Sequence, residues 1–213
     1  SFDALASCVL VVEAVVENEE IKAGVLRTAA GHAPADATLA TNTSALSVSG
    51  LAEAAGVSGR LVGLHFMNPA PGSRLAELAV PAGVDTAHAD RARACAEGLG
   101  LTVVETADTP GYAVNRALMP MIVQAARLVE EGGASAKAVD DALRLGCGHP
   151  MGPLALADFI GLDVVLEELE TLEAAHGPAY APPGILREHV AAGRLGRKTG
   201  EGFHSYGRRR TAD

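Results

Sequence analysis

The chain has 213 residues, 48% of them hydrophobic, and a formal net charge of −9 at pH 7. That length and apolar content suffice for one substantial core or two modest ones, while the acidic balance excludes a nucleic-acid partner, because phosphate binding needs clustered Lys and Arg. No apolar run approaches the ~20 residues that span a bilayer, and the start lacks the basic-then-apolar pattern of an export signal, so the expectation is a cytoplasmic protein outside the membrane. Cys8, Cys95 and Cys147 are too widely spaced for a CxxC or zinc pattern, and no metal site is drawn from them.

In chain order, Cys8 to Val16 is a nearly continuous apolar run, the pattern of a strand buried on both faces of a parallel sheet. A helix should follow, capped by Asn18, with Glu19 and Glu20 at its positive end and Ile21, Val25 and Leu26 as its inner stripe. A short strand over Ala37 to Ala40 ends in the polar run Thr41-Asn42-Thr43-Ser44. Then come a helix from about Ser47 to Ala55, a strand from Arg60 to Phe66, and a strand from Leu75 to Val80. Thr86 to Gly98 reads as an alanine-rich helix and Leu101 to Glu105 as a strand.

After Asp108-Thr109-Pro110-Gly111, a turn-forming sequence, the pattern changes to long helical periods. Helices are expected over Tyr112 to Glu131, Ser135 to Leu145, Leu154 to His176 and Pro183 to Ala192, with Pro120 kinking or locally unwinding the first unless neighbouring groups satisfy the carbonyl it frees. The fold class is therefore α/β plus all-α: a parallel-sheet domain over residues 1–108, then a helical domain over 109–213. A phosphate-binding G-x-G-x-x-G turn after a strand is not found, and Gly98-Leu99-Gly100 precedes a strand instead of following one.

Open α/β sheets present the carboxyl ends of their strands to the ligand. Three places qualify: Glu17-Asn18, the run Thr41 to Ser44, and His65 with Asn68. A carboxylate such as Glu77 accepting from one imidazole nitrogen would leave the other free as a base near neutral pH. Taken by residue type alone, however, His65 is more often a satisfied structural histidine, Glu77 a solvated strand-edge residue, and Ser44 and Asn18 helix caps. Asn115 by the same measure is a polar residue on an early helical turn, and spacing alone does not bring these groups together.

The strings VVEAVVENEEIK, ATNTSALSVSGLA, VGLHFMNPAP, DTPGYAVNRALMPMIVQAARLVEEG, LGCGHPMGPLALADFIGLDVV and GRLGRKTGEGFHSY occur in this order over nearly the whole chain. Together they resemble the 3-hydroxyacyl-CoA dehydrogenase family. The resemblance implies a partial Rossmann-type domain followed by a helical substrate and dimerisation domain, NAD as cofactor, an acyl-CoA substrate of short chain, and a homodimer. It implies catalytic roles for His65 as general base, Glu77 as its orienting carboxylate, Ser44 as a hydrogen-bond donor to the reacting oxygen, and Asn115 as a substrate-steadying group. Glu17, Lys22, Ser44, Asn68 and Lys198 match cofactor-lining positions. Ala45, Met67 and His204 depart from the family pattern at peripheral positions.

The same resemblance leads to the expectation that the first βαβ of the Rossmann domain precedes Ser1, and that this polypeptide alone is impaired or inactive. Two alternatives are carried: a related hydroxy-acid dehydrogenase of gulonate type, and an inactive helical dimerisation module.

Overall fold

In the computed structural model, residues 2–67 and 72–207 are described. The chain divides into two compact units, residues 1–113 and 114–213.

The first unit is a five-stranded sheet with neighbours in the order β1 (Leu10–Glu13), β2 (Thr38–Thr41), β3 (Leu61–Phe66), β4 (Leu75–Ala79) and β5 (Thr102–Thr106). Every pairing is parallel except β3 with β4, which is antiparallel. Helices α1 (Glu19–His32) and α2 (Val48–Ala55) cover one face and α3 (Thr86–Gly98) the other. The period-2 alternation of the strands sorts the core accordingly. Leu39, Leu61 and Ala79 pack with Ala23, Leu26, Val48 and Leu51 on the first face. Ala40, Val62, Leu64, Ala76 and Leu78 pack with Ala92 and Ala96 on the second.

Local signals placed the helix starts. Asn18 Oδ1 accepts from the Ile21 amide at 3.0 Å, and Ser47 Oγ accepts from the Gly50 amide at 3.2 Å, each satisfying an amide that the helix leaves unpaired. Two expectations are corrected. The run Cys8 to Val16 is a strand only over Leu10–Glu13, after a 3-10 turn at Phe2–Ser7, because the Val15 amide donates to Glu13 Oε1 at 2.6 Å and turns the chain out of the sheet. It is also an edge strand, with Val12 40% exposed, and not one buried on both faces. The inner stripe of α1 is Lys22, Ala23, Leu26 and Ala29, whereas Ile21 is 47% exposed. A buried lysine inside the stripe shifts the apparent apolar face by one residue.

The second unit is helical: α4 (Val114–Glu130), α5 (Ala136–Cys147), α6 (Pro153–Ile160), α7 (Leu162–His176) and α8 (Gly184–Ala191). Its core joins Met119, Ile122 and Val123 of α4 to Leu162, Val165, Leu169 and Leu172 of α7. The single helix expected over Leu154 to His176 is two. Gly161 stands at φ 109°, outside the helical region, so α6 ends there and α7 begins. Pro120 does not break α4: the Arg116 carbonyl that Pro120 leaves without an amide donor accepts from the Tyr180 hydroxyl at 3.1 Å. Among the described residues no helix is long and apolar enough to cross a membrane.

Two buried carboxylates hold this unit's loops. Asp140 on α5, 5% exposed, accepts from the amides of Leu154 and Ala155 at 2.9 Å each, capping α6, and binds His204 Nε2 at 2.7 Å. Asp158 on α6, 1% exposed, accepts from the amides of Phe203 and His204 at 2.9 Å each and from the Tyr206 hydroxyl at 3.0 Å. Gly152 and Gly202 are glycines for this reason: a Cβ at either would collide with Asp140 or Asp158 respectively.

Candidate functional site

His65 is the fifth residue of β3 and lies on the α1/α2 side of the sheet, like Leu61 and Gly63 before it. The antiparallel register with β4 sets Glu77 directly beside it. Their side chains meet, Glu77 Oε2 accepting from His65 Nδ1 at 3.0 Å. The carboxylate can only accept, so Nδ1 carries the proton and Nε2 presents its lone pair. Glu77 is 1% exposed and His65 8%, so the pair is shielded from water without being sealed from it. The expectation that Glu77 is a solvated edge residue fails, because β4 has a neighbour on each side.

Ser44 lies in the loop after β2, and its position is built from several sides. Glu17 Oε1 accepts from the Thr43 hydroxyl at 2.5 Å and from the amides of Ser44 at 3.0 Å and Ala45 at 3.1 Å. Asn42 Oδ1, two residues before Ser44, accepts from the Phe66 amide at 2.8 Å, which ties this loop to the residue after His65. The Ser44 hydroxyl itself reaches Glu17 only at 3.5 Å, the outer limit of a hydrogen bond, so its proton is available to a ligand oxygen.

Beneath this loop is a charged relay. Lys22, 1% exposed, donates to Glu13 Oε1 at 3.0 Å and to the Val15 carbonyl at 3.2 Å, with Glu17 Oε2 at 3.3 Å. Glu13 Oε2 accepts from the Thr41 hydroxyl at 2.8 Å. Lys22 is thus enclosed by protein, and it bears on the site through Glu17. Sequence reading missed Glu13 altogether, because it stands as the single charged residue inside the apolar run Cys8 to Val16. Lys22, nine residues later, points to Glu13 only once its burial is known, since a buried cation requires a partner.

Burial pushes the Glu17 carboxyl up, but the Thr43 hydroxyl, the Lys22 ammonium and the amides of Ala45 and Ser44 together outweigh it and hold the carboxyl below the ordinary glutamate range. A depressed folded-state pKa adds stability that is complete above the ordinary value and is lost as pH falls through the lowered one. Glu17→Gln should therefore flatten the acid side of the chain's stability-versus-pH curve, as read by melting temperature across acidic buffers. An unchanged acid limb would sink this assignment.

In the second unit, Asn115 sits on the first turn of α4 and donates through Nδ2 to Glu168 Oε1 on α7. Lys198 pairs with Asp163 at the start of α7, at 2.5 Å and 2.6 Å to its two carboxylate oxygens, and its side chain is 46% exposed. Asn68 lies outside the described residues. The structure therefore gathers His65, Glu77, Ser44, Glu17 and Lys22 in the first unit and carries Asn115 and Lys198 on the second.

The ends of β1 and β2 fit the nicotinamide half of a dinucleotide. They bring together a hydrogen-bonding hydroxyl at Ser44, a carboxylate at Glu17, and the exposed apolar residues Val15 and Val16, 39% and 65% accessible, on which a ring can lie. No glycine-rich turn that would cradle a pyrophosphate follows a parallel strand among the described residues.

The NAD binding domain of 3-hydroxyacyl-CoA dehydrogenase matches residues 1–109, and the C-terminal domain of the same family matches residues 111–206. A probable 3-hydroxybutyryl-CoA dehydrogenase of Deinococcus radiodurans is 44% identical over 202 residues, covering 94% of this chain and 73% of that protein. The 3-hydroxybutyryl-CoA dehydrogenase of Bradyrhizobium diazoefficiens is 41% identical over 205 residues, covering 96% and 70%. Among solved structures, (S)-3-hydroxybutyryl-CoA dehydrogenase PaaH1 from Ralstonia eutropha superposes with a TM-score of 0.93 at 39% identity, covering 98% of this chain and 74% of that one. With both domains matched in sequence and the architecture matched in space, the chain belongs to the 3-hydroxyacyl-CoA dehydrogenase family.

Proposed function

We propose that the chain interconverts L-3-hydroxyacyl-CoA and 3-oxoacyl-CoA with NAD as cofactor, on short acyl chains, and that His65 and Glu77 form its acid–base pair. The observation that carries this reading is the Nδ1-to-Oε2 contact at 3.0 Å, which leaves Nε2 of a buried imidazole free to take a proton. NAD, when bound, supplies the acceptor for the hydrogen and electron pair lost from C3 of the substrate.

The chain's own residues handle the rest. His65 Nε2 takes the proton of the 3-hydroxyl, and in the reverse direction returns it to the carbonyl oxygen. Glu77 holds the ring in the required tautomer and offsets the positive charge that the ring then carries. The Ser44 hydroxyl donates to the same substrate oxygen as it gains carbonyl character. Asn115, braced by Glu168, orients the thioester portion, while Glu17, Asn68 and Lys198 would hold the cofactor, with Lys22 acting on it through Glu17.

Homodimerisation through the helical unit belongs to the same reading. An apolar hollow between α4 and α5, lined by Met121, Leu128, Val139 and Leu143, leaves Leu128 48% exposed, which favours a second copy as its cover. Sedimentation as a single-copy species would remove this part. A cytoplasmic setting fits the three widely spaced, unpaired cysteines, and cell fractionation checks it.

The substrate class is tested by NADH consumption with acetoacetyl-CoA set against free acetoacetate. Whatever turnover the chain shows, full or impaired, is expected with the thioester and not with the free acid. Turnover with the free acid alone would transfer the chain to the hydroxy-acid dehydrogenases, an alternative that the relatives' names do not favour. Turnover with neither would overturn the reading for this polypeptide.

A further inference from the structure

Three consecutive residues between β5 and α4 each touch a different member of the site. The Gly111 amide donates to the Ser44 carbonyl at 3.1 Å. The Tyr112 ring lies 5.6 Å from the His65 ring, tilted at 44°. The Ala113 amide donates to Glu77 Oε1 at 2.9 Å, on the carboxylate whose other oxygen holds His65. The same segment secures the loop after Ser44 from below, since Asp108 caps α2 through the amides of Val48 and Ser49 at 2.8 Å each.

The backbone of this turn is unusual. Gly111 stands at φ 80° and Tyr112 at φ 44°, and Tyr112 is the one non-glycine residue with positive φ among the described residues. An aromatic side chain occupies that region only where its surroundings over-determine it. They do so here: Tyr112 is 3% exposed and packs into the core shared with Val48, Leu61 and Ala79. Its hydroxyl has no hydrogen-bond partner among the described residues. β3 makes room for it with Gly63, where a Cβ would lie 2.8 Å from the Tyr112 oxygen, 2.9 Å from Val48 and 3.1 Å from Ala79. Burial, reinforced by the carboxylates of Asp108, Glu17 and Glu77, pushes the phenol far above its ordinary range and keeps it neutral. A left-handed backbone at a buried aromatic residue is unfavourable, and a side chain that served only to fill space would not require it.

We propose that the Gly111–Ala113 turn is a clamp for the reacting groups and that Tyr112 is its positioning residue, backing the His65 imidazole with its ring and aiming the Ala113 amide at Glu77 through its left-handed backbone. The inference rests on the reading of His65 and Glu77 as the acid–base pair. It assigns the role to the ring and the backbone, and none to the hydroxyl.

The test is nitrogen NMR of the His65 ring in the full chain, together with amide exchange at Ala113. The wild type and Tyr112→Phe should show one tautomer, protonated at Nδ1, with a slowly exchanging ring proton. Tyr112→Leu, which removes the ring but keeps an apolar side chain in the core, should give mixed tautomers and ring-proton and Ala113 exchange about tenfold faster or more. Tyr112→Ala should behave likewise where it folds. A Tyr112→Leu variant with the wild-type ring signal and Ala113 protection would overturn the clamp. So would a Tyr112→Phe variant that loses them, since the hydroxyl would then be the active part. Neither result bears on proton transfer itself, which is judged separately by turnover after His65 is replaced.

Discussion

His65→Gln should lower turnover of acetoacetyl-CoA by about 10²–10⁴-fold, the usual worth of a positioned general acid–base group. Gln is close to His in size and can still hydrogen-bond Glu77, so the strand pairing and the burial of Glu77 at 1% exposure are kept. What it lacks is a lone pair that accepts a proton near neutral pH. The loss should fall on kcat, with KM for the thioester little changed, because His65 acts on a proton in flight and not on the CoA portion. A variant that retains turnover within about threefold of wild type would remove His65 as the base. A rise in KM with kcat intact would recast it as a binding group.

Asp158→Ala should be the most damaging single change to the helical unit. One carboxylate, itself 1% exposed, serves the amides of Phe203 and His204 and the Tyr206 hydroxyl, all of them half-buried. Each such donor left without its acceptor costs about 1 kcal/mol, the low end of the range for buried groups, so a loss of about 3 kcal/mol is expected. Gly202 is packed so closely against this carboxylate that the neighbouring loop cannot readily supply a substitute. Denaturant unfolding followed by the helical circular dichroism signal reads the effect. A loss under about 1 kcal/mol would show that the loop re-forms its hydrogen bonds elsewhere.

Much of the architecture was legible because its signals are local. Asn18, Ser47 and Ser135 each accept from an amide three residues on, and such caps leave a mark within one helical turn of sequence. The turn at Asp108 to Gly111 was likewise visible where the strand pattern gives way to helices. The misreadings share a cause. Glu13 was passed over inside an apolar run and Lys22 was left out of the inner stripe of α1, yet each is the other's reason for being buried, at 4% and 1% exposure. Gly161 looked like a tolerated glycine within one long helix, and only its φ of 109° shows that the chain changes direction there. Tyr112 looked like the first residue of a helix.

By itself the sequence determined the order of an α/β unit followed by a helical one, the family, and the residue types at its candidate site. Those follow from hydrogen bonds spanning three or four residues and from motifs that can be read along the chain. The tertiary structure decided which of those residues meet. That His65 faces Glu77 depends on β4 running antiparallel to β3 in one register, and a slip of a single residue would turn Glu77 to the opposite face. Register is set by how both faces of the sheet pack against α1, α2 and α3, a property of the whole unit that no short stretch of residues encodes.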